Sequence, residues 1–176
     1  MSSNPNKREF KPLNIAVMTV SDTRTDATDK SGDTLVKLLT EAGHSLVEKR
    51  IVADDIYRIR AAASQWIADD SVNAVITTGG TGITGRDSTP EAMKVLLDKE
   101  IEGFGEVFRA LSYEEINTST IQSRALAGVA NATFLFCLPG STGACRTGWG
   151  KIISHQLDYR TRPCNLVELM PRLREK

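Results

Sequence analysis

Asn73-Ala74-Val75-Ile76-Thr77-Thr78 runs directly into Gly79-Gly80-Thr81-Gly82-Ile83-Thr84-Gly85. The first half is short, apolar and rich in β-branched residues, which predicts a strand buried on both faces. The second half is a loop in which glycine permits positive φ and leaves no side chain over the backbone N–H groups. A buried strand that ends in such a loop suits a sheet whose strand ends hold a ligand, and the expected ligand here is a phosphorylated small molecule. Taken alone the loop reads equally well as a flexible turn.

Working outward, Leu13–Val20 is a second apolar run, predicted as a strand, and Ser31-Gly32-Asp33 offers helix-start chemistry. Leu35, Val36, Leu38, Leu39 and Ala42 carry a helical stripe, ended by Gly43. Leu46–Val52 alternates and reads as a strand near an edge, and Ile56–Ala68 repeats apolar residues at helical spacing. Pro90–Lys99 reads as a third helix with Thr89 as N-cap. Glu102–Ile116 is read as helical despite two glycines, Thr133–Leu138 as a fourth strand and Ser141–Leu157 as the last major helix. This βα alternation predicts an α/β domain with a mostly parallel sheet and right-handed crossovers. Ligands on such sheets bind beyond the carboxyl ends of the strands.

Those ends are polar in all four cases: Ser21–Arg24, Asp54-Asp55, Thr78–Glu91 and Pro139-Gly140-Ser141-Thr142-Gly143. Two glycine-rich loops after two buried strands favour a site over two idle turns. Gly80, Gly82 and Gly85 match G-x-G-x-x-G, but the helix signal at Thr89-Pro90 comes too late for a dinucleotide fingerprint. No G-x-x-x-x-G-K-[ST] motif is present. Asp54 and Asp87 flank the loops, and carboxylates beside a phosphate suggest an intervening Mg²⁺, which takes one or two protein carboxylates. Helix capping is the alternative for both, and it is the reading adopted for Asp55. His44 and His155 lack ligand spacing and are expected at the surface.

The 176 residues suit one domain, able to bury roughly 70% of the surface of the unfolded chain. Twenty-two basic residues balance 22 acidic ones, which argues against nucleic acid or membrane as the partner. No apolar run approaches the ~20 residues that span a bilayer. Met1–Lys11 is polar, unlike a signal peptide, and is expected to be a flexible tail. Cys137, Cys145 and Cys164 form an odd set without CxxC spacing, as expected of free thiols in the cytoplasm, with Cys137 in the core.

Thr78–Gly82, Arg86-Asp87-Ser88-Thr89-Pro90-Glu91, Glu102-Gly103-Phe104-Gly105-Glu106 and Leu138-Pro139-Gly140-Ser141 together resemble the MoaB/Mog family of molybdenum cofactor biosynthesis. The resemblance spans roughly Leu13 to Pro163. Glu102–Phe108, Gln122–Asn131, Pro139–Arg146 and Thr161–Asn165 are similar to its MoaB branch. It implies a three-layer α/β/α molybdopterin-binding domain over 12–165, between the tail 1–11 and a C-terminal extension 166–176. It further implies a homotrimer or homohexamer, with other pathway proteins as possible partners.

Active members transfer AMP from ATP, with Mg²⁺, to the terminal phosphate of molybdopterin. The resemblance places the catalytic and metal-holding aspartates at Asp54 and Asp87. It places substrate binding at Thr78, Gly79, Gly80, Thr81, Gly82, Pro139, Gly140 and Ser141. Ser123 matches a family serine near the pterin. Arg86 either assists or forms an exposed salt bridge. A non-catalytic molybdopterin carrier or scaffold is the competing expectation. Phe104, Phe108, Leu111 and Tyr113 are candidates for a subunit interface or for ordinary core.

Overall fold

The computed structural model describes residues 8–175. Six strands form one mixed sheet: β1 (Asn14–Val20), β2 (Ser45–Val52), β3 (Ala74–Thr78), β4 (Lys99–Glu100), β5 (Leu126–Ala130) and β6 (Thr133–Leu138). Their order is β2-β1-β3-β6-β5-β4. The first four in that order run parallel, while β5 and β4 are antiparallel additions at one edge. β3 and β6 are buried along their whole length, as their unbroken apolar runs require.

Helices cover both faces. On one side pack α1 (Lys30–Glu41), α4 (Glu102–Ile116) and α5 (Thr142–Gly148), burying Leu35, Leu39, Phe104, Phe108 and Cys145 against Ile15, Val17, Ile76 and Phe136. On the other lie α2 (Ile56–Ala68) and α3 (Thr89–Lys94), whose Ile59, Ala63, Trp66 and Met93 meet Ala16, Met18, Val75 and Leu135. This is the expected three-layer arrangement. Phe104 and Phe108 are core, Leu111 is half-buried, and Tyr113 is exposed.

Several elements differ from the sequence reading. The helix expected over Pro90–Lys99 stops at Lys94, because Asp98 N–H donates to Val129 O (2.8 Å) and draws the chain into the edge strand β4. Thr89 is not the N-cap: Ser88 holds that position. The Thr89 hydroxyl instead donates to Gly79 O (2.9 Å). The last major helix begins at Thr142, after the Ser141 cap, and widens into a π-turn at Trp149–Ile153. A four-residue step turns an α-helical stripe by about 40°. The wider turn offsets that rotation and keeps Trp149, Ile153 and Leu157 on the buried face.

Residues 1–7 of the tail lie outside the described residues. From Arg8 onward the chain lies against the body: Arg8 pairs with Glu168, and Lys11 sits 3.8 Å from the centre of the Tyr159 ring. Leu166–Arg172 forms a 3₁₀ helix opened by an Asn165–Glu168 capping box. No helix among the described residues is long and apolar enough to cross a membrane.

His44 corrects a further expectation. It is only 5% exposed, between Phe10 and Trp149, and its Nδ1 accepts the Leu13 N–H (3.1 Å). His155 is exposed, as expected. Burial depresses the His44 pKa below its usual 6.5, against a smaller opposing pull from Asp158. A histidine held neutral by folding contributes its full stability above the unfolded pKa and loses it as pH falls from about 6.5 toward the lower folded value. The urea midpoint should therefore drop between pH 7.5 and 5.5. Its pH slope should flatten in His44→Gln, and an unchanged slope in that variant would refute the assignment.

Candidate functional site

The carboxyl ends of β1, β3 and β6 open into a cavity of about 550 Å³. The two glycine-rich loops meet there backbone to backbone. Gly79 N–H donates to Leu138 O (3.0 Å), the Thr78 hydroxyl donates to Pro139 O (3.0 Å), and a Cβ on Gly140 would lie 3.2 Å from Gly79 Cα. Gly79 and Gly80 have φ of +102° and +64°. A side chain at Gly79 would press into the Val20 carbonyl, and one at Gly80 into the Thr89 hydroxyl. Both positions therefore require glycine.

Among the described residues, no acceptor meets the N–H groups of Gly80, Thr81, Gly140 or Ser141. These four donors belong to loops that line the cavity. Such successive free N–H groups suit a phosphate. Ser141 also caps α5, its Oγ accepting the Ala144 N–H (3.1 Å).

Thr78, Gly79, Gly80, Thr81, Gly82, Ser123, Pro139, Gly140, Ser141 and Asp87 all line this cavity. Asp54 does not. It stands behind the glycine loop, where its Oδ1 accepts the Ser88 hydroxyl (3.1 Å) and would lie 3.3 Å from a Cβ on Gly80. Asp55 caps α2 by accepting the Tyr57 and Arg58 N–H groups (3.0 and 2.9 Å), as expected. Asp87 is not a cap. Its Oδ2 accepts the Thr84 hydroxyl (2.6 Å) and N–H (2.8 Å), holding the carboxylate inside the loop. Arg86 is exposed and pairs with Asp22. The helix that follows Gly85 begins only at Thr89, so the G-x-G-x-x-G match is not a dinucleotide fingerprint.

The two acids are poised differently. The Thr84 hydroxyl leads the causes that hold Asp87 below the usual carboxylate range, helped by the Thr84 and Gly82 backbone and the charge of Arg124. Burial raises Asp54 above its usual 3.8, and the charges of Asp87 and Asp22 add to the rise against hydrogen bonds from Ser88. A carboxylate raised by burial and by nearby like charge gains from a cation.

Burial pushes the Cys145 thiol to about 11 and Cys137 to about 12, so neither is a nucleophile at neutral pH. All three cysteines are free.

The far wall comes from α4 and the 3₁₀ turn Asn117–Gln122, through Phe108, Ser112, Glu115 and Thr120. None of these was marked by sequence reasoning as a site residue. Ser112, a small polar residue on the buried face of an amphipathic helix, was the one available signal.

Residues 16–159 match the family described as "Probable molybdopterin binding domain", and the chain belongs to that family. Within it, the chain is 59% identical over 157 residues to molybdenum cofactor biosynthesis protein B of Escherichia coli (strain K12), covering 89% of this chain and 92% of that one. It is 46% identical to the protein of the same name from Bacillus cereus, over 88% and 92%. A crystal structure of molybdenum cofactor biosynthesis protein B superposes with a TM-score of 0.86 at 42% identity, over 96% of this chain and 100% of that chain. The tungsten cofactor synthesizing protein MoaB of Pyrococcus furiosus gives 0.77 at 37%, over 94% and 99%.

Proposed function

We propose that the chain binds molybdopterin in the 550 Å³ cavity and transfers AMP from Mg-ATP to its terminal phosphate, releasing pyrophosphate. The observation that carries this reading is the pairing of two glycine loops, with four free N–H groups, beside Asp87 and Asp54. Family membership and the names of the relatives supply the pterin.

Attack of one phosphate on another asks the protein for alignment and charge neutralisation more than for covalent chemistry. In this reading Gly80, Thr81, Gly140 and Ser141 hold phosphate oxygens by their N–H groups, and Ser123 contacts the pterin side. Asp54 and Asp87 are oxygen donors, and two carboxylates suit Mg²⁺, which keeps its other positions for water and phosphate. The raised pKa of Asp54 is the cost that a cation relieves. When bound, Mg²⁺ would neutralise charge on the ATP phosphates.

The division of the chain into tail, domain 12–165 and extension, and a homotrimeric or homohexameric assembly, are part of the same proposal. The exposed Tyr113 and Ile116 of α4, one turn apart, suit an interface between copies.

The test is turnover with purified molybdopterin and Mg-ATP. Mg²⁺-dependent release of pyrophosphate, with formation of adenylylated pterin, is expected. Pterin binding without turnover would instead favour the carrier reading, for which the position of Asp54 outside the cavity lining is the supporting observation. No pterin affinity would sink both.

A further inference from the structure

Between Gly82 and Asp87 the glycine loop leaves the body of the protein, and Ile83, Thr84, Gly85 and Arg86 are all exposed. One side chain closes that excursion. Arg124 Nε donates to Gly82 O (2.8 Å) and its second terminal nitrogen to Asp87 O (2.7 Å), so the guanidinium grips both ends of the exposed stretch. The remaining nitrogen pairs with Glu91 on α3, and the Arg124 backbone N–H donates to Thr81 O (3.2 Å). Among the described residues, and apart from the exposed Arg86–Asp22 pair, the other bonds of the excursion are internal and converge on Asp87, from Thr84 and the Gly82 backbone.

Arg124 also joins two walls of the cavity. It follows Ser123, at the end of the 3₁₀ turn that carries Thr120, while its contacts lie on the opposite, phosphate-facing loop. Two carbonyls and a carboxylate are met at once by a planar fork of donors. An ammonium, a single point of charge on a flexible stem, cannot reproduce that grip.

We infer that Arg124 is the positioning residue of this site: it fixes the Gly82–Asp87 loop, and with it the Asp87 carboxylate, relative to Ser123 across the cavity. The inference rests on the adenylyl-transfer reading for its catalytic consequence, but not for its geometry. Arg124 touches neither substrate nor metal in this role. Its loss therefore loosens the alignment of groups that remain present.

The experiment compares wild type with Arg124→Gln and Arg124→Lys. Losing a residue that orients a metal ligand typically weakens metal binding roughly 10- to 100-fold, and misalignment of about an ångström can cost about 100-fold in rate. The half-saturating Mg²⁺ concentration should accordingly rise and kcat should fall in both variants, with lysine restoring little. The molybdopterin dissociation constant should stay within about twofold, since the four free N–H groups are untouched. Amide exchange should quicken over Gly82–Asp87 and not in β3 or β6. A merely structural role would instead lower the thermal midpoint and leave the Mg²⁺ requirement alone, which overturns the inference. So would recovery of wild-type kcat by lysine. If wild type itself shows no turnover, the adenylyl-transfer reading fails separately. Amide exchange then decides: faster exchange confined to the loop upholds the positioning role, and unchanged exchange overturns it.

Discussion

On the proposed adenylyl transfer, Asp87→Asn should lower the rate of AMP transfer by about 10³-fold while the protein stays folded and still binds molybdopterin. The magnitude follows from removing several kcal/mol of charge stabilisation, at about 1.4 kcal/mol per tenfold. The fold survives because the amide oxygen introduced by this substitution can accept both Thr84 donors, as the Asp87 carboxylate does now. What disappears is the negative charge beside the glycine loop, which a cation needs and a phosphate does not. Asp54→Asn should cause a similar loss with one difference. Asp54 is raised by burial and by the charges of Asp87 and Asp22, so its neutral replacement should make the protein slightly more stable. Steady-state kinetics with molybdopterin and Mg-ATP, calorimetric pterin binding and a melting curve together check both variants. Retention of more than about a tenth of wild-type kcat in Asp87→Asn would remove that residue from the chemistry. A fall in pterin affinity matching the fall in rate would make it a binding residue instead.

The contrast between these acids and their surroundings explains what was readable beforehand. Ala74–Thr78 and Thr133–Leu138 are unbroken apolar runs, and both are strands buried end to end. The loops after them announce themselves by glycine, because positive φ at Gly79 and Gly80 leaves few other residues possible. The edge was not legible. β4 is two residues long, and β5 is Leu126-Ala127-Gly128-Val129-Ala130, where small residues and an interior glycine give neither alternation nor bulk. Pairing with Thr133–Leu138 on one side and Lys99-Glu100 on the other makes that segment a strand.

The cavity divides the same way. Its glycine-loop wall is local in sequence, whereas the opposite wall is assembled from α4 and a 3₁₀ turn by tertiary packing. Phe108, marked only as interface or core, and Thr120 therefore carry no sequence mark of the cavity. The expectation that His44 lay at the surface failed for a related reason: its burial comes from Phe10 and Trp149, distant in sequence on either side.

A larger effect on stability is expected at a residue that does not reach the cavity. The carboxylate of Asp29 is completely buried beneath the end of β1. It accepts the Gly32 N–H (2.9 Å) and the hydroxyls of Thr19 (2.7 Å) and Ser31 (3.3 Å), and Lys49 Nζ lies 3.2 Å away. Asp29 thus ties the start of α1 to β1 and to the outer strand β2, and two of its donors, Thr19 and Ser31, line the cavity. Asp29→Ala removes one partner from a buried ion pair and orphans three donors, a change that costs about 3–5 kcal/mol. Lys49 retains Asp33 (2.6 Å), so the lower end is expected. About 3 kcal/mol corresponds to a melting midpoint lowered by roughly 6–12 °C for a domain of this size. Burial alone would raise the Asp29 pKa, but the hydrogen bonds from Gly32 and Thr19 and the nearby Lys49 outweigh it and hold the group below its usual 3.8. A depressed carboxylate contributes fully above the unfolded pKa, and that contribution is lost as pH falls below about 3.8 through the folded value. Acid unfolding of the wild type should therefore steepen there, and Asp29→Asn, which cannot ionise, should lack that component. Equal acid sensitivity in wild type and Asp29→Asn would show that the charge at this position does not couple folding to pH. Loosening Thr19 and Ser31 should also weaken molybdopterin binding in Asp29→Ala, even though Asp87 and both glycine loops are intact.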